Sequence, residues 1–260
     1  MSDSGAQTSQ QQFSAPRGWE ALKNHVIDHK VDVALWATRL CTVFFSLSYI
    51  LPIFVHPYSA YYKALMSNAA TSALRLHQRI PRVTLSREFL ALLLAEDSCH
   101  YLFFSLIFLY VSPVTMVLLP GFLFAVLHSA SYSLTLLDTL GQNSWWAARL
   151  FISMVEFQSR NILRLVAFTE IFLMPMSVVL VFLGRCGLLT PFIYYQFLGL
   201  RYTSRRNPYT RNMFYELRLL LERTANKPGL PSFLRTVLMS IVTFTSGLAP
   251  PMGEAGQAGR

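Results

Sequence analysis

Residues 98 to 137 read SCHYLFFSLIFLYVSPVTMVLLPGFLFAVLHSASYSLTLL and contain no Lys, Arg, Asp or Glu. At about 1.5 Å per helical residue this run would extend roughly 60 Å, about twice the hydrocarbon thickness of a bilayer. A single straight span cannot use that length. The run must fold back, and Pro113 stands where a tight turn beside Ser112 makes a helical hairpin. Phe89 to Val111 is expected to form one leg, and the other is expected to be interrupted at Pro120 before continuing to about Leu137.

The rest of the chain shares this character. Hydrophobic residues make up 53% and charged residues 13%, against about a quarter charged in a soluble domain. Ala34 to Val55 is long enough to span, and its one internal charge, Arg39, lies a turn from the start, where it can snorkel to the interface. Leu165 to Leu183 is a further apolar segment, containing Glu170 and Pro175. After Gly184-Arg185-Cys186-Gly187 comes Leu188 to Leu200, short for a span and readable either as a re-entrant piece or as a hairpin partner. The fold expected is all-α, a polytopic helical membrane protein. Residues 1–30 form a polar, disordered N-terminus without the apolar core of a signal peptide, 31–200 the membrane domain, 201–250 a basic cytosolic tail with amphipathic helices, and 251–260 a disordered end.

Basic residues outnumber acidic ones, 22 against 13, and concentrate outside the apolar runs. Such flanks face the cytosol. If the stretches 57–88, 138–164 and 201 onward are all cytosolic, the segments between them must enter and leave on one side, which again demands hairpins. Within 57–88 we expect an interfacial helix stopped by Pro81, and within 138–164 a polar connection whose Trp145 and Trp146 suit the headgroup region. In the tail, Arg201, Arg205, Arg206 and Arg211 offer a surface to anionic lipids and partners. Phe233, Val237, Ile241, Phe244 and Leu248 then form an apolar stripe at helical spacing, opposed by Ser and Thr. That helix is either a lipid-packing sensor or an ordinary helix packed on the protein. No nucleic-acid-binding signature is present, so nucleic acid is not an expected partner. Cys41, Cys99 and Cys186 have no paired spacing and read as small hydrophobic residues.

Glu96, Asp97 and His100 stand inside an apolar segment, where ionisable groups are costly and face a protein interior or a wet cavity. Glu96 and His100, four apart, share a helical face. With Glu170 and Arg39 they form an intramembrane polar cluster that reads either as a metal pair or proton relay, or as a packing cluster paired with Arg39 or Arg87. Further zinc ligands are lacking, so no metal is expected. No phosphate-binding loop, nucleophile elbow or HExxH sequence occurs, so neither a catalytic residue nor a cofactor is expected.

Several longer words carry more specificity: LRLHQR at 74–79, EDSCHY at 96–101, SLIF at 105–108, EIFLMP at 170–175, PFIYY at 191–195 leading to Arg201-Tyr202, and SRRNPY at 204–209. In these words the chain, from about Val33 to Pro250, resembles the transmembrane protein 33 family, also called Krüppel homologue 2, with fungal relatives in the pore membrane. The resemblance implies a protein of the endoplasmic reticulum and nuclear envelope that interacts with reticulon-type membrane proteins. It also implies effects on the tubular network, the unfolded-protein response and nuclear pore organisation, with nucleoporins or a karyopherin as further partners. It supplies no catalytic residue. The function expected is non-enzymatic membrane organisation. The alternative is an ion channel or channel modulator using Glu96, Asp97, His100 and Glu170 along a hydrated path.

Overall fold

Three helices have the length and composition to cross a bilayer: α2 (Lys30–Ile50), α6 (Thr115–Leu140) and α8 (Ser159–Phe182). A fourth span arises if α4 (Arg87–Leu94) and α5 (Asp97–Leu109) act as one, bent by 78°. The computed structural model describes residues 18–80, 86–142, 145–204, 208–227 and 229–248. It adds α1 (Trp19–Asp28), α3 (Pro57–Arg79), α7 (Trp146–Ile152), a π-helical turn (Ser153–Phe157), α9 (Thr190–Thr203), α10 (Tyr209–Ala225) and α11 (Ser232–Leu248). No strand occurs among the described residues, so the all-α membrane fold is established.

Local sequence explains most boundaries. Pro57 opens α3 at a position whose N–H needs no intrahelical partner. Ser86 caps α4, its hydroxyl accepting from the Phe89 N–H at 3.1 Å. At the end of α8, Gly184 takes φ +66°, Gly184 N–H donates to the Val181 carbonyl and Arg185 N–H to the Leu180 carbonyl, which closes the orphan carbonyls of the last turn. Gly141 (φ 78°) ends α6 the same way.

The chain runs as three helix–turn–helix units, α2/α3, α5/α6 and α8/α9, of which α5 packs chiefly on α3 and α9 and α6 on α2 and α8. Their turns, residues 51–56, 110–114 and 183–189, meet at one end of the bundle. Ser112 N–H donates to the Arg185 carbonyl (3.1 Å), the Arg185 guanidinium donates to the Pro113 carbonyl (2.8 Å), and Tyr62 hydroxyl donates to the Val111 carbonyl (3.3 Å). The opposite end holds the connections and α10, tied by Gln78 to Asp32 (3.1 Å), Trp36 to Ser133 (3.0 Å) and Arg164 to Glu216 (2.7 Å). Between the ends, Tyr61, Leu65, Phe104, Phe108, Leu173, Tyr194 and Phe197 make the core. Its rings interlock, with Phe104 and Phe108 at 4.9 Å and Phe104 and Phe197 at 5.3 Å between centroids. Phe44, Leu47, Phe172, Val179 and Phe182 face outward, the pattern of a bundle solvated by hydrocarbon.

Four expectations need correction. Phe89 to Val111 is not one straight leg: the backbone turns extended at Glu96 (φ −88°, ψ 121°). A straight helix would carry Glu96 and Asp97 into hydrocarbon, whereas the bend brings them to cationic partners. Pro120 does not interrupt α6, because its missing N–H releases only the Met116 carbonyl near the helix start and packing holds the rest. The stretch 57–79 is not an interfacial helix. Its small and aromatic face, Ala60, Tyr61, Ala64 and Leu65, is at most 2% exposed and packs between α2 and α5. Finally, 138–164 is helical for most of its length, through the end of α6, α7, the π turn and the start of α8. The Pro81 stop lies outside the described residues.

Candidate functional site

Arg201 is the centre of a buried ion network at the end of the bundle away from the turns. It projects from the last turn of α9 with 1% of its surface exposed. Its Nε donates to Glu170 Oε2 at 3.2 Å and its Nη1 to Asp97 Oδ1 at 3.1 Å, and its guanidinium stacks over the Tyr101 ring at 4.9 Å. Glu170, fully buried on α8, also accepts from the Tyr101 hydroxyl and from Thr210 (3.3 Å), while its backbone carbonyl accepts from Tyr194 (2.7 Å). Asp97 accepts from Ser204 at 2.8 Å. The network therefore ties α5, α8, α9 and α10 together, with one cation shared between two carboxylates that also accept from the Tyr101, Thr210 and Ser204 hydroxyls.

The other members of the expected cluster separate. Glu96 pairs with Arg79 at 2.7 Å, not with Arg39 or Arg87. His100 is 1% exposed, its Nε2 contacts the Leu94 carbonyl at 2.7 Å, and its Nδ1 lies 3.7 Å from Asp97. Arg39 is buried, 8% exposed, and does not snorkel. Among the described residues no carboxylate lies within 4 Å of it. Arg39 instead lines a half-open cavity of about 260 Å³ between α2, α3, α5 and α6, with Arg75, Arg79 and Arg201 on the same walls. No group of three or more His, Cys, Asp or Glu side chains among the described residues has metal-binding geometry.

Arg201 was expected on the surface of a basic tail, and its burial corrects that. The spacing held the signal: Tyr194, Phe197, Leu198 and Arg201 follow i, i+3, i+4, i+7 and share the buried face of α9. Tyr101, Thr210 and Ser204 were not singled out, since isolated hydroxyls carry no pattern of their own. Arg211 is exposed on α10. Phe233, Val237 and Ile241 are 73%, 38% and 42% exposed on α11, which packs on α10 and receives support from Arg235 Nε donating to the Ala225 carbonyl at 3.0 Å. Arg205, Arg206 and the Phe244 side chain lie outside the described residues.

Most of this architecture, and every residue of the ion network, falls within residues 14–251, which match the family described as Transmembrane protein 33/Nucleoporin POM33. The chain belongs to that family. It is 53% identical to Krueppel homolog 2 of Drosophila melanogaster over 234 residues, covering 90% of this chain and 84% of that protein. It is 48% identical to mouse Transmembrane protein 33 over 239 residues (91% of this chain, 96% of the other) and 39% identical to the Caenorhabditis elegans homologue over 237 residues (90% and 87%). No solved structure matches. As a Transmembrane protein 33/Nucleoporin POM33 family member the chain is a membrane protein, and the family name carries a link to the nuclear pore.

Proposed function

We propose that this chain is a non-enzymatic organiser of endoplasmic reticulum and nuclear envelope membranes. The observation that supports it most is the arrangement of the three hairpins, whose turns gather at one end while the connections, α10 and α11 gather at the other. The three turns contain one Lys or Arg, Arg185, whereas α1, α3, α7, α8, α9 and α10 bring Lys23, Arg79, Arg149, Arg160, Arg164, Arg201 and Arg211 towards the opposite end. That asymmetry supports a cytosolic basic end. Exposed Trp145 and Trp146 at this end suit the headgroup level.

A bundle of this kind occupies the two leaflets unequally, because α7, the π turn, α10 and α11 add volume at the cytosolic end alone. On α11 the exposed stripe of Phe233, Val237 and Ile241, with Thr236 and Ser240 on the same face, points away from the side where Arg235 bonds to α10, so its fitting occupant is the bilayer surface. Reticulon-type membrane proteins are the partners in this reading, with nucleoporins or a karyopherin meeting the basic end at the pore. A role in the unfolded-protein response would follow from membrane organisation. The channel reading gains no support from Glu170, whose carboxylate is dry and taken up by Tyr101, Arg201 and Thr210.

The test is reconstitution of the full chain into liposomes at increasing protein-to-lipid ratio, with membrane shape followed by electron microscopy. Narrowing or tubulation is expected, weakened in a Val237→Asp/Ile241→Asp variant. Vesicles that keep their radius at every ratio would overturn the proposal.

A further inference from the structure

The cavity beside the ion network contains cationic groups that its own carboxylates do not balance. Four arginines line it, and two are already engaged: Arg79 by Glu96 and Arg201 by Asp97 and Glu170. Arg39 and Arg75 are different. Neither forms an ion pair among the described residues, and the two guanidiniums repel each other across the cavity; Asp32, and for Arg75 also Glu96, offset this only in part and from outside the cavity lining. Arg39 is 8% exposed and Arg75 half-buried, so water screens this repulsion poorly.

The rest of the lining supplies no free counter-charge. Asp97, the one acidic residue of the lining, is occupied by Arg201 and Ser204. Neutral donors such as Asn68 and Ser72 complete the walls. The volume, about 260 Å³, sits near the lower edge of small-ligand pockets, roughly 300–1,000 Å³.

We propose that this cavity binds the phosphate group of an anionic ligand, held by Arg39 and Arg75. Guanidinium forks match phosphate oxygens in pairs, and a tetrahedral oxyanion relieves the arginine repulsion. The lining reaches Arg79 and Arg201 at the basic end of the bundle, so the same phosphate chemistry could come from a lipid headgroup or from solution. This site is independent of membrane shaping.

Two arms distinguish the sources. The full chain in detergent is titrated with inorganic phosphate, and the full chain in nanodiscs of phosphatidylcholine, with or without phosphatidic acid, is compared by thermal unfolding and by native mass spectrometry of retained lipid. Stabilisation by at least one probe is expected, and Arg75→Gln should weaken its half-saturation roughly tenfold or more, the loss typical of one charged hydrogen-bonding group. Arg218→Gln, on exposed α10, should leave it unchanged. Without either probe, Arg75→Gln should be at least as stable as the parent chain, because one of two repelling cations is gone; this separates loss of binding from loss of folding. A response confined to phosphatidic acid assigns a lipid headgroup, and a response to free phosphate assigns a soluble anion. No stabilisation by either probe, or equal stabilisation of parent and Arg75→Gln, overturns the proposal.

Discussion

Removing Arg201 should unlock the bundle at one end. In Arg201→Ala, Glu170 would keep the hydroxyls of Tyr101 and Thr210 but lose its buried counter-charge at 3.2 Å, and Asp97 would lose its own at 3.1 Å. Asp97 is partly exposed and can turn to water, whereas Glu170 is fully buried and cannot. Breaking a buried pair by truncating one partner costs about 3–5 kcal/mol, because an uncompensated charge stays behind. For a chain of this size that is a fall of roughly 6 to 20 °C in the unfolding midpoint, at about 2–4 °C per kcal/mol. The assay is thermal unfolding of the purified protein in mild detergent, followed by size-exclusion chromatography with Trp fluorescence. The decisive companion is Arg201→Met/Glu170→Gln, which removes both charges and keeps the volume. It should recover most of the loss, since replacing a buried ion pair by neutral groups is often close to neutral. An Arg201→Ala midpoint within about 2 °C of the parent, or a double variant as damaged as the single one, would refute the reasoning.

Gly121 and the Arg164–Glu216 pair give two further outcomes, measured in the same way. A Cβ at Gly121 would meet Asn68 Cγ at 3.2 Å, and Asn68 is pinned by its 2.8 Å hydrogen bond to Ser105. Gly121→Ala should therefore be nearly neutral, crowding offset by about 1 kcal/mol of helix propensity, whereas Gly121→Val should cost about 1–3 kcal/mol. Equal midpoints for the two variants would contradict that geometry. Arg164 and Glu216 are about half exposed, so Glu216→Gln should move stability by less than about 1 kcal/mol despite the 2.7 Å contact; a larger loss would mean that this contact does more than join two surface side chains.

The helices long and apolar enough to cross a membrane, α2, α6 and α8, were legible because their composition leaves no other home, the few polar groups such as Arg39, Thr42 and Glu170 being turned toward the protein. Two of the hairpin turns were legible, at Ser112-Pro113 and at Gly184 to Gly187, from the breakers between apolar runs; the α2/α3 turn was not, because the arginines of 57–88 made that stretch read as cytosolic. What escaped depends on partners. The buried face of α3 is made of alanines and tyrosines on a helix that also carries Lys63, Arg75 and Arg79, and nothing within that helix shows that α2 and α5 cover it. Glu96 and Asp97 were recognised as costly, yet the 78° bend that resolves the cost follows from where Arg79 and Arg201 arrive, one from earlier in the chain and one about a hundred residues later. Arg201 was assigned to the surface because its neighbours in sequence are basic, although its spacing from Tyr194 and Phe197 places it on the buried face.

Membrane topology tests the central claim most directly. Single cysteines at Phe54, Tyr110 and Leu188 mark the three turns and those at Trp145 and Tyr215 the opposite end; all five positions are exposed on the protein. In a variant otherwise free of cysteine, in sealed microsomes with their cytosolic face outward, an impermeant maleimide should label Trp145→Cys and Tyr215→Cys and leave Phe54→Cys, Tyr110→Cys and Leu188→Cys protected. Labelling of any turn together with Trp145→Cys, or opposite behaviour at 145 and 215, would contradict the three-hairpin account.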